Sequence, residues 1–255
     1  MILSRLIEHV KQQHWTAVFL DFVIVVLGVF IGIQVSNLNA ERGERSKEFG
    51  YLVSLHEDLV RSIATIDRTI GLLRRESKGQ TTVLNALAQC RVPPAAKGEI
   101  EFAISTLGYV NAPIFSSRTY DELTSSGSFD IIENEEIKTG LSDIVRRVSH
   151  LNQTVENVYR LTEHHRFTVE ENVLFSNIKP YDEFGSTATV EYDIAKLCEN
   201  RKVASAISAI RLQTVDRLYA YQALEDLYRK LPPLIEQEIS ERWGRTINAG
   251  ESRSS

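Results

Sequence analysis

Residues 135–160 read EEIKTGLSDIVRRVSHLNQTVENVYR, and their apolar positions Ile137, Leu141, Ile144, Val148, Leu151, Val155 and Val158 fall at alternating spacings of three and four. That is the period of a helix burying one face, with charged and polar residues between the apolar ones. Two further stretches carry the same stripe. Upstream it is Leu52, Leu55, Leu59, Ile63, Ile66, Ile70 and Leu73. Downstream it is Val203, Ile207, Ile210, Leu218, Tyr221, Leu224, Tyr228 and Leu231, with Thr214 filling one step. Long helices with one apolar face satisfy each other in a bundle. The predicted fold is therefore all-α, an elongated antiparallel helical bundle over residues 41–243. No comparable alternating strand pattern is evident.

The breaks define the element ends. Pro93 and Pro94 cannot donate within a helix interior and stop the first long helix. Asn134, followed by Glu135 and Glu136, has the features of a helix start: a capping amide and acids at the positive end of the dipole. Gly127 suits the left-handed position after the short helix TYDELTSS. Residues 176–189, with Pro180 and Gly185, read as a large loop. Pro232 and Pro233 are expected to kink or restart the last helix, which should end near Trp243 and Gly244. Residues 244–255 read as a disordered tail.

Ahead of the bundle, residues 17–35 read AVFLDFVIVVLGVFIGIQV, with Asp21 and Gln34 as the strongly polar exceptions. A helix from Ala17 to Leu38 would be about 33 Å long, enough for a hydrocarbon core of roughly 30 Å. Residues 16–40 are therefore expected to form a transmembrane helix. A cleaved signal peptide would need a small residue where Leu38 stands, three positions before any cut after Ala40. Residues 1–15 carry Ile2, Leu3, Leu6, Ile7 and Val10 opposite Arg5, Lys11 and Gln12. They are expected to lie on the membrane surface as an amphipathic helix, in contact with lipid. Basic residues are nearly balanced across the span. A short tail before a first span commonly stays inside, so the larger domain is expected outside.

The stretch EHVKQQHWTAVFLDFVIVVLGVFIGIQVSNLN, Glu8 to Asn39, resembles the start of an uncharacterised family of bacterial single-pass membrane proteins. TYDELTSSGSFDIIENEEIKTGLSDI, Thr119 to Ile144, resembles that family's central segment. The resemblance implies a bacterial inner-membrane anchor and brings no catalytic residue with it.

Charge and motif narrow the function classes. Lys+Arg 29 against Asp+Glu 34 gives a net charge of −5 without a basic stripe, which argues against nucleic acid as a partner. Glycine-loop, nucleophile-elbow and zinc-helix signatures are missing, and none of the six histidines follows a Glu at the helical ligand spacing. His164 and His165 are neighbours pointing about 100° apart on a helix, awkward for one metal. No enzyme activity, cofactor or metal is expected. The carboxylates, including Glu57-Asp58, read as surface charge. Tyr109, Phe115, Tyr120 and Phe129 either line a ligand pocket or cap one end of the bundle.

Two groups of residues stand out. Asp21, Gly28 and Gly32 fall within about 40° on one helix face. Gly28 and Gly32 have the spacing that lets two membrane helices pack closely, so a second copy or another membrane protein is the expected partner through this helix. An acid within a span is costly and hence informative. If Asp21 titrates, the protein would be a proton-coupled accessory subunit of a membrane complex. Otherwise the reading is a membrane-anchored protein for sensing, scaffolding or envelope interaction. The second group is Cys90 and Cys198, each beside a helix end. A disulfide between them would clamp the first long helix to the start of the last, provided the domain is periplasmic. In a cytoplasmic domain they would be two separate thiols.

Overall fold

The structure, a computed structural model, describes residues 15–108, 115, 117–182 and 185–247. The fold is all-α, with six α-helices and one two-stranded sheet among the described residues. Helix α1 spans Trp15–Gln89, α2 Lys97–Ser105, α3 Arg118–Ser125, α4 Glu135–Glu170, α5 Ile194–Glu199 and α6 Arg201–Trp243. The chain forms two compact units, Met1–Tyr51 and Leu52–Ser255. The surface helix expected over residues 1–15 lies almost wholly outside the described residues, as does residues 248–255 of the expected tail.

In the first unit, α1 presents its apolar side chains outward. Phe22, Val25, Phe30 and Ile33 are all exposed, and a window of mean hydropathy 2.0 has none of its residues buried. A core helix of a water-soluble domain hides such residues. This helix is long and apolar enough to cross a membrane.

In the second unit, α6 runs antiparallel to α1 and to α4. Its pairings with α1 are His56–Glu236, Asp67–Arg229, Glu76–Arg217, Gln80–Thr214 and Thr81–Arg211, with one number rising as the other falls. On α4, Asn134 reaches Glu238, and Gly140 lies beneath Leu231. The three predicted stripes supply most of this core. Leu52, Leu55, Ile66, Ile137, Leu141, Ile207, Ile210, Tyr221 and Leu224 are buried. Each such side chain contributes roughly 1.5–3 kcal/mol on leaving water. Some positions differ: Arg217 is buried beside a half-buried Leu218 in the third stripe, Ser62 beside a half-buried Ile63 in the first, and Val148 in the second is half-buried.

The helix ends follow local chemistry. The Asn134 side chain accepts from the Glu136 and Ile137 amides, and Gly127 and Gly244 adopt left-handed conformations after α3 and α6. Helix α1 stops at Gln89, before the prolines. Cys90 takes the left-handed position (φ 47°) and the Arg91 amide donates to the Ala86 carbonyl at 3.1 Å. Pro232 and Pro233 lie inside α6, which continues through them without ending or restarting. Each removes a helical hydrogen bond at a cost of about 3 kcal/mol. Burial of Leu231, Ile235 and Ile239 around them offsets that cost.

The expected loop over residues 176–189 is instead an antiparallel hairpin, β1 Leu174–Asp182 and β2 Gly185–Glu191. Register shifts between Ser176 and Lys179, and between Pro180 and Asp182, break the two-residue alternation that marks a strand in sequence. At the hairpin's base, Val173 and Val190 join Val83, Leu87, Ile100, Ala103 and Val203 in a cluster closing this end of the domain. Helix α2 crosses α1 there at Gly79, where an added Cβ would lie 2.8 Å from the Ala103 Cβ.

Candidate functional site

Cys90, just past α1, and Cys198, in α5, are joined by a disulfide with a Cα–Cα distance of 5.5 Å and a sequence separation of 108. Capping sets both positions. The left-handed turn after α1 projects Cys90 sideways, and α5 is started by the Asp193 carboxylate, which accepts from the Ala195 and Lys196 amides. Cys198 packs against the cluster at the hairpin base. The bond thus ties the end of α1 to the chain entering α6.

Gly28 and Gly32 lie on the exposed part of α1, and nothing in the chain comes within 4 Å of a Cβ built at either. The face is therefore open to another helix. Asp21 belongs to the same helix. Its side chain lies outside what the structure describes.

A polar layer crosses the bundle, and sequence reading missed it. Glu76 on α1 and Arg217 on α6 have side chains only 3% and 6% exposed, with Arg217 Nη2 3.7 Å from Glu76 Oε2. One turn further, Gln80 Nε2 donates to Thr214 Oγ1 at 3.2 Å. Burial pushes the Glu76 carboxyl up to about 7, and the neighbouring guanidinium opposes that rise. Burial also drives the Arg217 pKa down and that of Tyr221 up. A charged pair in this position fixes alignment, because sliding either helix strands both charges. The signal was present: Glu76 and Gln80 continue the first stripe past Leu73, and Thr214, Arg217 and Tyr221 continue the third.

Asp58, expected at the surface, is buried on α1. Its Oδ2 accepts from the Thr119 amide at 3.0 Å and from Thr119 Oγ1 at 2.7 Å, while Oδ1 pairs with Arg61. Ser117, the residue before α3, makes no capping bond with its own side chain. A carboxylate from another helix therefore satisfies the start of α3. His56, two residues before Asp58 on α1, is buried with Nε2 2.7 Å from Glu236 Oε1.

By fixing α3, Asp58 shapes a cavity of about 670 Å³ between α1, α3, α4 and α6. Its apolar wall includes Leu55, Leu141, Ile144 and Val148, and Phe115 stacks on Tyr228 with ring centroids 5.8 Å apart. Burial pushes the Tyr228 phenol up to about 12, so it is neutral and acts as a hydrogen-bonding group. Of the aromatic residues singled out in the sequence, Phe115 and Tyr120 line the cavity, and Phe129 meets the Tyr120 ring edge-on at 5.5 Å. Tyr109 is outside the described residues. The size falls within the range of small-molecule sites.

His164 and His165 have ring centroids 5.9 Å apart. Among the described residues, no group of three or more His, Cys, Asp or Glu could hold a metal ion. Comparison with protein-family models, curated proteins and solved structures returns no match.

Proposed function

We propose that this is a non-catalytic single-pass protein of the bacterial inner membrane, with its helical domain in the periplasm serving sensing, scaffolding or envelope interaction. The observation that carries this reading is the Cys90–Cys198 disulfide on the same chain as a helix apolar enough to cross a membrane. Disulfides persist in oxidising compartments and are rare in the cytosol. A span that leaves the larger domain outside accounts for both features. The resemblance of residues 8–39 to a family of bacterial single-pass proteins supports the same placement. The open Gly28–Gly32 face supports a partner helix in the membrane, either a second copy or another membrane protein.

Topology tests the reading. Alkaline phosphatase joined after Trp243 should be active, and a fluorescent reporter that matures only in the cytoplasm should be dark there. The reverse pattern would overturn the periplasmic placement.

A further inference from the structure

We propose that the cavity between α1, α3, α4 and α6 binds a small organic cation, with an apolar body against Leu141, Ile144 and the Phe115–Tyr228 stack and an amine facing Asp121 and Glu156. This inference is independent of the proposed topology, since it uses only side chains within the second unit.

The cavity's chemistry is one-sided. Its floor is aliphatic and aromatic, and among the described residues the charged ones lining it are the carboxylates Asp58, Asp121 and Glu156, with no Lys, Arg or His. Asp58 is committed, because both its oxygens are engaged by Thr119 and Arg61. The other two are different. Asp121 Oδ2 accepts only a neutral hydrogen bond, from Ser117 Oγ at 2.8 Å, and neither Asp121 nor Glu156 has an ion-pair partner among the described residues. A neutral apolar molecule would gain nothing from these two solvated carboxylates, and an anion would be repelled by both. A cation with an aromatic or aliphatic body satisfies the floor and the rim together. Tyr120, also on the lining, adds a ring face of the kind that attracts cations.

The cavity's volume of about 670 Å³ is in the range of small-molecule sites and leaves ample room for a molecule of one ring and a short chain. It is also partly open, so a ligand can enter without unfolding the bundle.

The test uses three water-soluble probes of one shape: 4-phenylbutylammonium, 4-phenylbutanol and 4-phenylbutyrate. The full chain is held in phosphatidylcholine nanodiscs, with empty discs as the blank, and binding is read by titration calorimetry. The cation should bind at least roughly tenfold more tightly than the anion, with the alcohol between them. Asp121→Asn combined with Glu156→Gln should bring the three probes to within about twofold of each other, by removing the charge and leaving the apolar floor. Val145→Trp, at a half-exposed lining position, should fill the space and abolish binding of all three. Circular dichroism checks that each variant is folded. The proposal is overturned if the anion binds as well as the cation, if no probe saturates below about 5 mM, or if the cation's preference survives the double substitution. Because both rim residues are exposed, the charge variant keeps the test decisive even if Val145→Trp fails to fold.

Discussion

Glu76→Gln isolates the buried ion pair, because the two side chains have nearly the same shape and only one can ionise. In the native state burial raises the Glu76 carboxyl from its ordinary value near 4.5 to about 7. In the unfolded chain it titrates near 4.5. Below that pH both states hold the proton, and the contribution of Glu76 to stability is fully present. Between 4.5 and 7 the unfolded chain releases its proton while the native state keeps it, so stability falls with rising pH. Above about 7 the loss is complete and amounts to about 3 kcal/mol, at about 1.4 kcal/mol per tenfold difference in proton affinity. Arg217 is common to both proteins and cancels out of the comparison. The assay is urea denaturation of the full chain in detergent, followed by far-ultraviolet circular dichroism from pH 4 to 8. The quantity of interest is wild-type stability minus that of Glu76→Gln, which should decline across the window by about 3 kcal/mol. Arg217→Met sharpens the result. At pH 8 it leaves a buried carboxylate without its counter-charge and should cost about 3–5 kcal/mol, and at pH 5 distinctly less, because the carboxyl is then neutral. Parallel wild-type and Glu76→Gln curves would mean that pairing with Arg217 fully compensates burial, refuting the reasoning. So would a difference that rises with pH.

The remaining predictions address the clamp, the α3 cap and the membrane face. Replacing Cys90 and Cys198 together by Ser should cost about 2–5 kcal/mol, since the bond closes a long loop in the unfolded chain; an unchanged denaturation midpoint, with oxidised wild type as reference, would contradict this. Asp58→Ala should cost about 2–3 kcal/mol by stranding the Thr119 amide and hydroxyl, and Asp58→Asn less, because an acceptor remains; equal stabilities by the same urea assay would remove Asp58 as the cap of α3. Gly28→Leu or Gly32→Leu should lower crosslinked dimer or partner yield in membranes, and unchanged yield in both would exclude that face as a packing surface. Asp21→Asn should leave assembly and function intact if the helix only anchors; loss of function with normal assembly would favour proton coupling instead.

Much of the bundle was legible because its helices are long. Over many turns a stripe at spacings of three and four accumulates enough signal that single exceptions do not erase it, and Ile137 through Val158 on α4 required nothing from elsewhere in the chain. Caps were legible for a related reason. Asn134 bonds to amides two and three residues on, so cause and effect lie within one short stretch. The disulfide was harder. Two cysteines beside helix ends allow a pairing, but only the fold brings their Cα atoms to 5.5 Å.

What escaped sequence reading depends on partners far along the chain. Asp58 resembles a surface acid until Thr119, distant in sequence, supplies two donors to it. Glu76 and Arg217 are each a charge in a run of charges until antiparallel packing sets them opposite one another. The hairpin was lost for the converse reason: Leu174 and Ile178 are exposed while Val190 is buried at its base, and its bulges shift the register, so no alternation is sustained along its residues. Polar residues that interrupt a stripe at the position where an apolar one is due therefore carry long-range information. In two antiparallel stripes, opposite charges at such interruptions are candidates for each other. Glu76, one step past Leu73, qualifies, but Leu218 fills the step beside Arg217, so only the packed α1 and α6 reveal that pair.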